Sequence, residues 1–207
     1  MPVRKDKDSV LKAMPRPVLL AFGANQNSDA GPPAATIAES IKTLVIAGVE
    51  ICAVSRFFST LAFPPGTGQN YVNAAVSCRT ELPALGILAE LHRIEGLFGR
   101  RRSRRWGERT LDIDLLAVSD QILPDRNTHE YWRGLDLDDQ KRHIPDQLIL
   151  PHPRIQDRAF VLVPLAEIAP NWTHPILGAS VAEMLQALSS DSLTGIRPLK
   201  DQPIITR

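Results

Sequence analysis

The sequence predicts an α+β fold, a ferredoxin-like antiparallel sheet with helices packed against its faces. Two observations carry this. Short apolar runs and helix-spaced apolar stripes follow one another in the order β-α-β-β-α-β, the element order of such a sheet. The chain has 207 residues, 43% of them hydrophobic, enough for one domain with a sizeable core, and no internal repeat or linker-like stretch divides it.

The elements justify themselves in turn. Val18 to Phe22 is a short apolar run, hence a buried first strand, and Gly23-Ala24-Asn25 reads as a turn where glycine allows close backbone approach. After a loop at Ala30 to Pro33, Thr36 is placed as the cap of a helix. Its apolar positions Ile37, Ile41, Leu44 and Val45 recur at helical spacing up to Gly48. Val49 to Ser55 reads as a strand that Arg56 to Thr60 continues. Leu61 to Asn70 holds two prolines and two glycines and reads as a loop, and Tyr71 to Val76 reads as the next strand. Leu82-Pro83 opens a helix running to about Phe98, with Leu85, Leu88, Leu91 and Ile94 toward one side and Gly99 as its stop. Thr110 to Val118 reads as a buried strand, Val161 to Ile168 as a helix start and Val181 to Leu188 as an amphipathic helix. Ser189 to Arg207 should add one strand and a loose end. Met1 to Pro17 is read as a loosely held extension, leaving residues 18–207 as the single domain.

The segment from Arg100 to Leu116 carries the chemistry. It puts six arginines into ten residues and then places Asp112 and Asp114 two apart on a strand. Residues two apart on a strand share a face, so the two carboxylates project together, away from Leu111, Ile113 and Leu115. Paired hard oxygen ligands suit Mg²⁺, which is commonly held by one or two carboxylates plus substrate phosphates. The upstream arginines offer forked donors for phosphate oxygens. A metal seat beside a phosphate clamp points to phosphoryl or pyrophosphoryl transfer.

Composition narrows the classes. A net charge of +1 gives no general attraction to nucleic acid or to a membrane surface. No apolar run approaches the ~20 residues that span a bilayer. The N-terminus lacks the apolar core of a signal peptide, and a cytoplasmic location is expected; the chain is also expected to be a monomer. Cys52 and Cys78 have no metal-like spacing and are read as buried free thiols.

Trp106-Gly107-Glu108-Arg109-Thr110-Leu111-Asp112-Ile113-Asp114 resembles the signature of the 6-hydroxymethyl-7,8-dihydropterin pyrophosphokinase family, in which a proline usually stands where this chain has Glu108. Three further stretches resemble the same family. Gly23-Ala24-Asn25 matches its Gly-Ser-Asn except at Ala24, Tyr71-Val72-Asn73-Ala74-Ala75 matches its pterin-facing strand, and Pro151-His152-Pro153-Arg154 with Arg158-Ala159-Phe160 matches a fourth motif. The resemblance covers roughly Val18 to Leu188. It implies pyrophosphate transfer from ATP to 6-hydroxymethyl-7,8-dihydropterin in folate biosynthesis, with two Mg²⁺ ions on Asp112 and Asp114. It further implies that Arg100 and Arg109 clamp phosphate oxygens. Tyr71 and Phe160 would stack on the pterin, with Gly23, Thr60 and Asn73 around it, while Glu95, Trp106, His152 and Arg158 would lie near the nucleotide. Asp120 to Gln147 is longer than the family's usual connection. It is read as an inserted surface loop of about twenty residues, with a short helix near Leu135 to Lys141.

Overall fold

The structure, a computed structural model, describes residues 14–61, 69–99, 110–136, 139 and 142–205. Its centre is β1 (Arg16–Ala24), which pairs antiparallel with β4 (Tyr71–Thr80) on one side and β5 (Asp112–Val118) on the other. The far edge of β4 carries β2 (Glu50–Val54) and then β3 (Phe58–Thr60), and β3 in turn pairs with the two-residue β6 (Arg197–Pro198). All these pairings are antiparallel, and β5-β1-β4-β3 is the strand order expected of a ferredoxin-like sheet.

Val18 to Phe22 lacks polar alternation because both faces of β1 are covered. Val18, Leu20 and Phe22 point into a core closed by α1 (Pro33–Ile46) and α2 (Ala84–Leu97), through Ile37, Ile41, Leu91 and Ile94. Leu19 and Ala21 point the other way, against Val161, Leu162 and Leu165 of α4 (Ala159–Ile168) and Val181 of α5 (Val181–Gln186). Each fully buried Leu, Ile or Phe contributes roughly 1.5–3 kcal/mol. The β1–β5 register shifts between Leu19 and Leu20, so Leu116 is an extra residue in β5. This bulge lets Leu116 and Ala117 both face the second core, while Leu115 and Val118 face the first.

Several sequence expectations need correction. β1 begins at Arg16, two residues early. Thr36 does not cap α1: the helix starts at Pro33 after Pro32, and Thr36 is buried inside it, with its hydroxyl on Ser28 and the carbonyl of Pro32. Prolines occupy positions whose N–H would be unpaired in any case. The strand expected from Val49 through Thr60 is broken at Ser55 to Phe57. There the Ser55 hydroxyl accepts from the Ala75 amide at 2.9 Å, standing in for a ladder carbonyl. Arg56 swings out to Glu167 of α4, its amide and guanidinium both donating to that carboxylate. Cys52 is exposed on this edge strand, while Cys78 is buried, and burial pushes its thiol up to about 12. Ser189 onward supplies a short helix, α6 (Ser190–Leu193), besides β6.

Within the segment read as an insertion lies α3 (Arg126–Gly134), whose N-terminus is capped by Asp125 accepting from the Thr128 amide at 3.0 Å. The short helix expected near Leu135 to Lys141 falls largely outside the described residues. Gly99 behaves as read: with φ +80° it follows the last turn of α2 in the left-handed conformation that ends helices. No helix among the described residues is long and apolar enough to cross a membrane.

Candidate active site

The ends of three strands meet at one row. Asp112 of β5 stands opposite Gly23 of β1, and Gly23 stands opposite Asn73 of β4. Directly opposed residues on a sheet share a face, so Asp112 and Asn73 look out together across the glycine, about 10 Å apart over two strand spacings. Asp114 lies one pleat further along, opposite Ala21. The face is the one covered by α4 further down, and Ile113 and Leu115 point into the opposite core. The shared projection of the two aspartates, inferred from spacing, is what the register gives.

Gly23 leaves clearance for Asn73. A Cβ built there would meet the Asn73 Oδ1 at 3.3 Å. The Asn73 amide is fixed by donating from Nδ2 to Thr60 Oγ1 at 2.8 Å, and both side chains are buried. That bond leaves Oδ1 on the Gly23 side. Tyr71 begins β4 opposite Thr60 and is half-buried. Phe160 sits in the first turn of α4 with 40% of its surface exposed, a large area of ring for that helix to leave uncovered.

The acid pair is balanced from the loop before α4. Arg158 Nη1 donates to Asp114 Oδ2 at 3.1 Å, and the same guanidinium lies over the Phe160 ring, 5.7 Å from its centroid. His152 reaches the site because its amide donates to the Leu116 carbonyl at 2.7 Å, anchoring its loop to β5. Desolvation pushes the His152 imidazole down to about 3, and the Arg158 and Arg154 charges push the same way, against the opposing pull of Asp112. His152 is therefore neutral near pH 7, with Nδ1 accepting from the Arg154 amide at 3.1 Å.

Glu95, which the resemblance places near the nucleotide, is anchored to β5. It is 1% exposed, and its Oε1 accepts from the Ile113 amide at 2.8 Å, the amide between the two aspartates. Among the described strands β5 is the edge of the sheet, and Glu95 supplies the acceptor on its outer side. Arg100, Trp106 and Arg109 lie outside the described residues. Sequence reasoning gave no role to Arg154 or His129, both buried polar residues beside the His152 loop. The signal for Arg154 was present in Pro151-His152-Pro153-Arg154; His129 is announced only by the Pro124-Asp125 helix start ahead of it. A separate cleft of about 480 Å³ at the β2 edge, lined by Val45, Ile51, Arg56 and Gln202, contains none of the predicted site residues.

The sheet thus brings paired carboxylates, an arginine and a fixed amide together at its strand ends, donors and acceptors suited to a small phosphate-bearing molecule. Residues 19–170 match the family 7,8-dihydro-6-hydroxymethylpterin-pyrophosphokinase (HPPK). The chain is 34% identical over 154 residues to the 2-amino-4-hydroxy-6-hydroxymethyldihydropteridine pyrophosphokinase of Synechocystis sp., covering 74% of this chain and 68% of that one. It is 35% identical over 167 residues to the enzyme of the same name from Methylorubrum extorquens, covering 80% and 92%. Among solved structures, the wild-type HPPK-DHPS of Plasmodium falciparum superposes with a TM-score of 0.58 at 15% identity, over 86% of this chain. This chain spans 42% of that much longer protein, and the likeness there is one of fold. The chain belongs to the HPPK family, ATP-dependent transferases of pyrophosphate in folate biosynthesis.

Proposed function

We propose that this chain moves pyrophosphate from ATP to the hydroxyl of 6-hydroxymethyl-7,8-dihydropterin, releasing AMP, at the Asp112–Gly23–Asn73 row. The observation that carries the reading is the row itself: an amide fixed to read a ring edge and a carboxylate pair at the reacting end, separated by a residue with no side chain.

In this reading Tyr71 and Phe160 cover the two faces of the flat ring, and Asn73 and Thr60 match its edge, since an amide offers both donor and acceptor. Gly23 keeps the floor clear. Asp112 and Asp114 hold Mg²⁺, with two ions expected. The donors fit: both are hard oxygen ligands on one face of β5, and Asp114 already takes a cation, the Arg158 guanidinium, at 3.1 Å. Mg²⁺ bound by one or two carboxylates usually completes its shell with substrate phosphate oxygens and water. Held by Asp112 and Asp114, Mg²⁺ would supply charge neutralisation at phosphate oxygens and would make a bound hydroxyl more acidic.

The chain's own residues supply position and charge. Arg158, released from Asp114, can turn its fork to phosphate oxygens a short distance away. Neutral His152 offers an N–H donor from Nε2, because Nδ1 is occupied. Arg100 and Arg109 take the remaining phosphate charge, with Trp106 and Glu95 on the nucleotide side. No residue is assigned as general base. A net charge of +1 gives no general attraction to nucleic acid or to an anionic membrane surface, and the working form in this reading is a cytoplasmic monomer. The test is incubation with ATP, Mg²⁺ and the reduced pterin: AMP is the expected nucleotide product, and ADP in its place refutes pyrophosphoryl transfer.

A further inference from the structure

The segment from Leu123 to Leu135 is bound to the loop that carries His152 and Arg158, and at its start Leu123 also packs against the first core. Six hydrogen bonds make the junction. Leu123 and Leu150 exchange backbone hydrogen bonds at 2.9 and 3.1 Å. His129, fully buried in α3, donates from Nε2 to the Pro151 carbonyl at 2.9 Å. Arg154, 8% exposed, donates from Nη2 to the carbonyls of Trp132 and Leu135 at 3.1 and 3.0 Å and from Nη1 to that of Arg133 at 3.0 Å. Its Nη1 also touches Asp157 at 3.4 Å.

The carbonyls that Arg154 gathers are those at the C-terminal end of α3, which have no partner within the helix and carry the negative end of its dipole. A planar fork can serve three carbonyls at once; an ammonium is a point charge and cannot hold the same geometry. The backbone of this same residue sets His152, since the Arg154 amide donates to His152 Nδ1 at 3.1 Å and so fixes which ring nitrogen carries the proton. A chain of contacts therefore runs from α3 to the Arg154 side chain, through its amide, to the imidazole beside the aspartates.

We propose that Arg154 and His129 are positioning residues: α3 is a brace that fixes the ring of His152 and the approach of Arg158 to Asp114, and thereby sets affinity for the phosphate-bearing substrate. The functional part rests on the site reading above; the geometric part does not. Buried hydrogen-bonding partners that orient a binding group are worth about 10–100-fold in affinity where they have been removed around metals, and a similar scale applies here.

Arg154→Ala and Arg154→Lys should each raise KM for ATP by about 10-fold or more while changing kcat and the Kd of the pterin alone less than about threefold. His129→Leu should reproduce this effect, and His129→Gln, which keeps a donor for the Pro151 carbonyl, should restore it. Arg126→Ala, on the exposed side of α3, should leave both constants unchanged. The imidazole ¹⁵N signals of His152 should show one tautomer in the wild-type chain and a mixture in Arg154→Lys. An unchanged KM for ATP in every Arg154 and His129 variant overturns the proposal, as does an unchanged His152 tautomer. If Arg154→Ala does not fold, the Lys and Gln variants decide. If the wild-type chain releases no AMP, the site reading falls, while the His152 signals still decide whether α3 fixes the ring.

Discussion

Asp112 and Asp114 sit on one face of an edge strand, so their loss should damage chemistry more than binding of the neutral ring. Asp112→Ala and Asp114→Ala should each lower kcat by at least about 10²–10³, the scale of one preorganised electrostatic group, with pterin affinity held within a few-fold. AMP release and a fluorescence titration of the pterin measure the two quantities. Near wild-type turnover in either variant at ordinary Mg²⁺ would remove the metal assignment. Gly23→Ala tests the opposite end of the row. The backbone conformation at Gly23 is open to alanine, so folding should survive, but the new methyl group would press on Asn73 Oδ1 at 3.3 Å while Thr60 holds the other side of that amide. Pterin Kd should rise roughly 10-fold, about 1.4 kcal/mol, with the melting temperature little changed. Unaltered pterin affinity would mean that Asn73 does not face the ring.

Elements were legible where one local signal decided them. β1, β4, α2 and β5 follow from apolar spacing, because each buries a face against neighbours that the same pattern demands. The β2–β3 break was not legible, since it depends on the Ser55 hydroxyl reaching Ala75, twenty residues on. Nor was α3: the nine residues Arg126–Gly134 are mostly polar, and only His129 among them is buried. That helix is held by Arg154, outside its own sequence. Within the site, the aspartate pair, Asn73, Thr60, Glu95 and Arg158 could be named from motifs, but which side chain each of them holds in place could not. Glu95 illustrates the difference. A carboxylate in the last turn of a helix opposes the helix dipole, yet this one is buried against the Ile113 amide. Glu95→Ala should cost about 1–3 kcal/mol of stability, the price of an unsatisfied buried donor, and Glu95→Gln, which keeps a carbonyl acceptor, should recover most of it. Thermal unfolding measures both. Wild-type stability in both variants, with KM for ATP raised, would instead assign Glu95 to the nucleotide.

At the scale of the whole molecule, two cores share one sheet, and polar groups tie the second core to α3. His129 and His174 are both fully buried, with ring centroids 5.6 Å apart in an edge-on arrangement, and Trp172 packs edge-on against His174. His174 Nδ1 accepts from the amides of Ile176 and Leu177 at 3.2 and 3.3 Å, so protonating that nitrogen breaks both bonds. Desolvation pushes His174 down to about 4, with His129 and Arg133 pushing the same way. His129 is lowered by desolvation, against the opposing pull of the Pro151 carbonyl, with Arg133 and Arg126 lowering it further and Glu130 raising it. Both pKa values lie below those of the unfolded chain. The unfolded state therefore binds more protons in acid, and the stability these residues contribute is fully present above pH 6.5 and lost as pH falls toward the folded values. For His174 the slope is about 1.4 kcal/mol per pH unit between 6.5 and 4, roughly 3 kcal/mol in all. That is a large share of a typical 5–15 kcal/mol. Urea unfolding at a series of pH values should show stability falling through this window, before the carboxylates titrate in bulk. His174→Asn should flatten the slope by about one proton, even if its stability at pH 7 is lower. A wild-type profile that stays level from pH 7 to pH 5 would mean that both imidazoles are already protonated, or reached by water, in the folded chain.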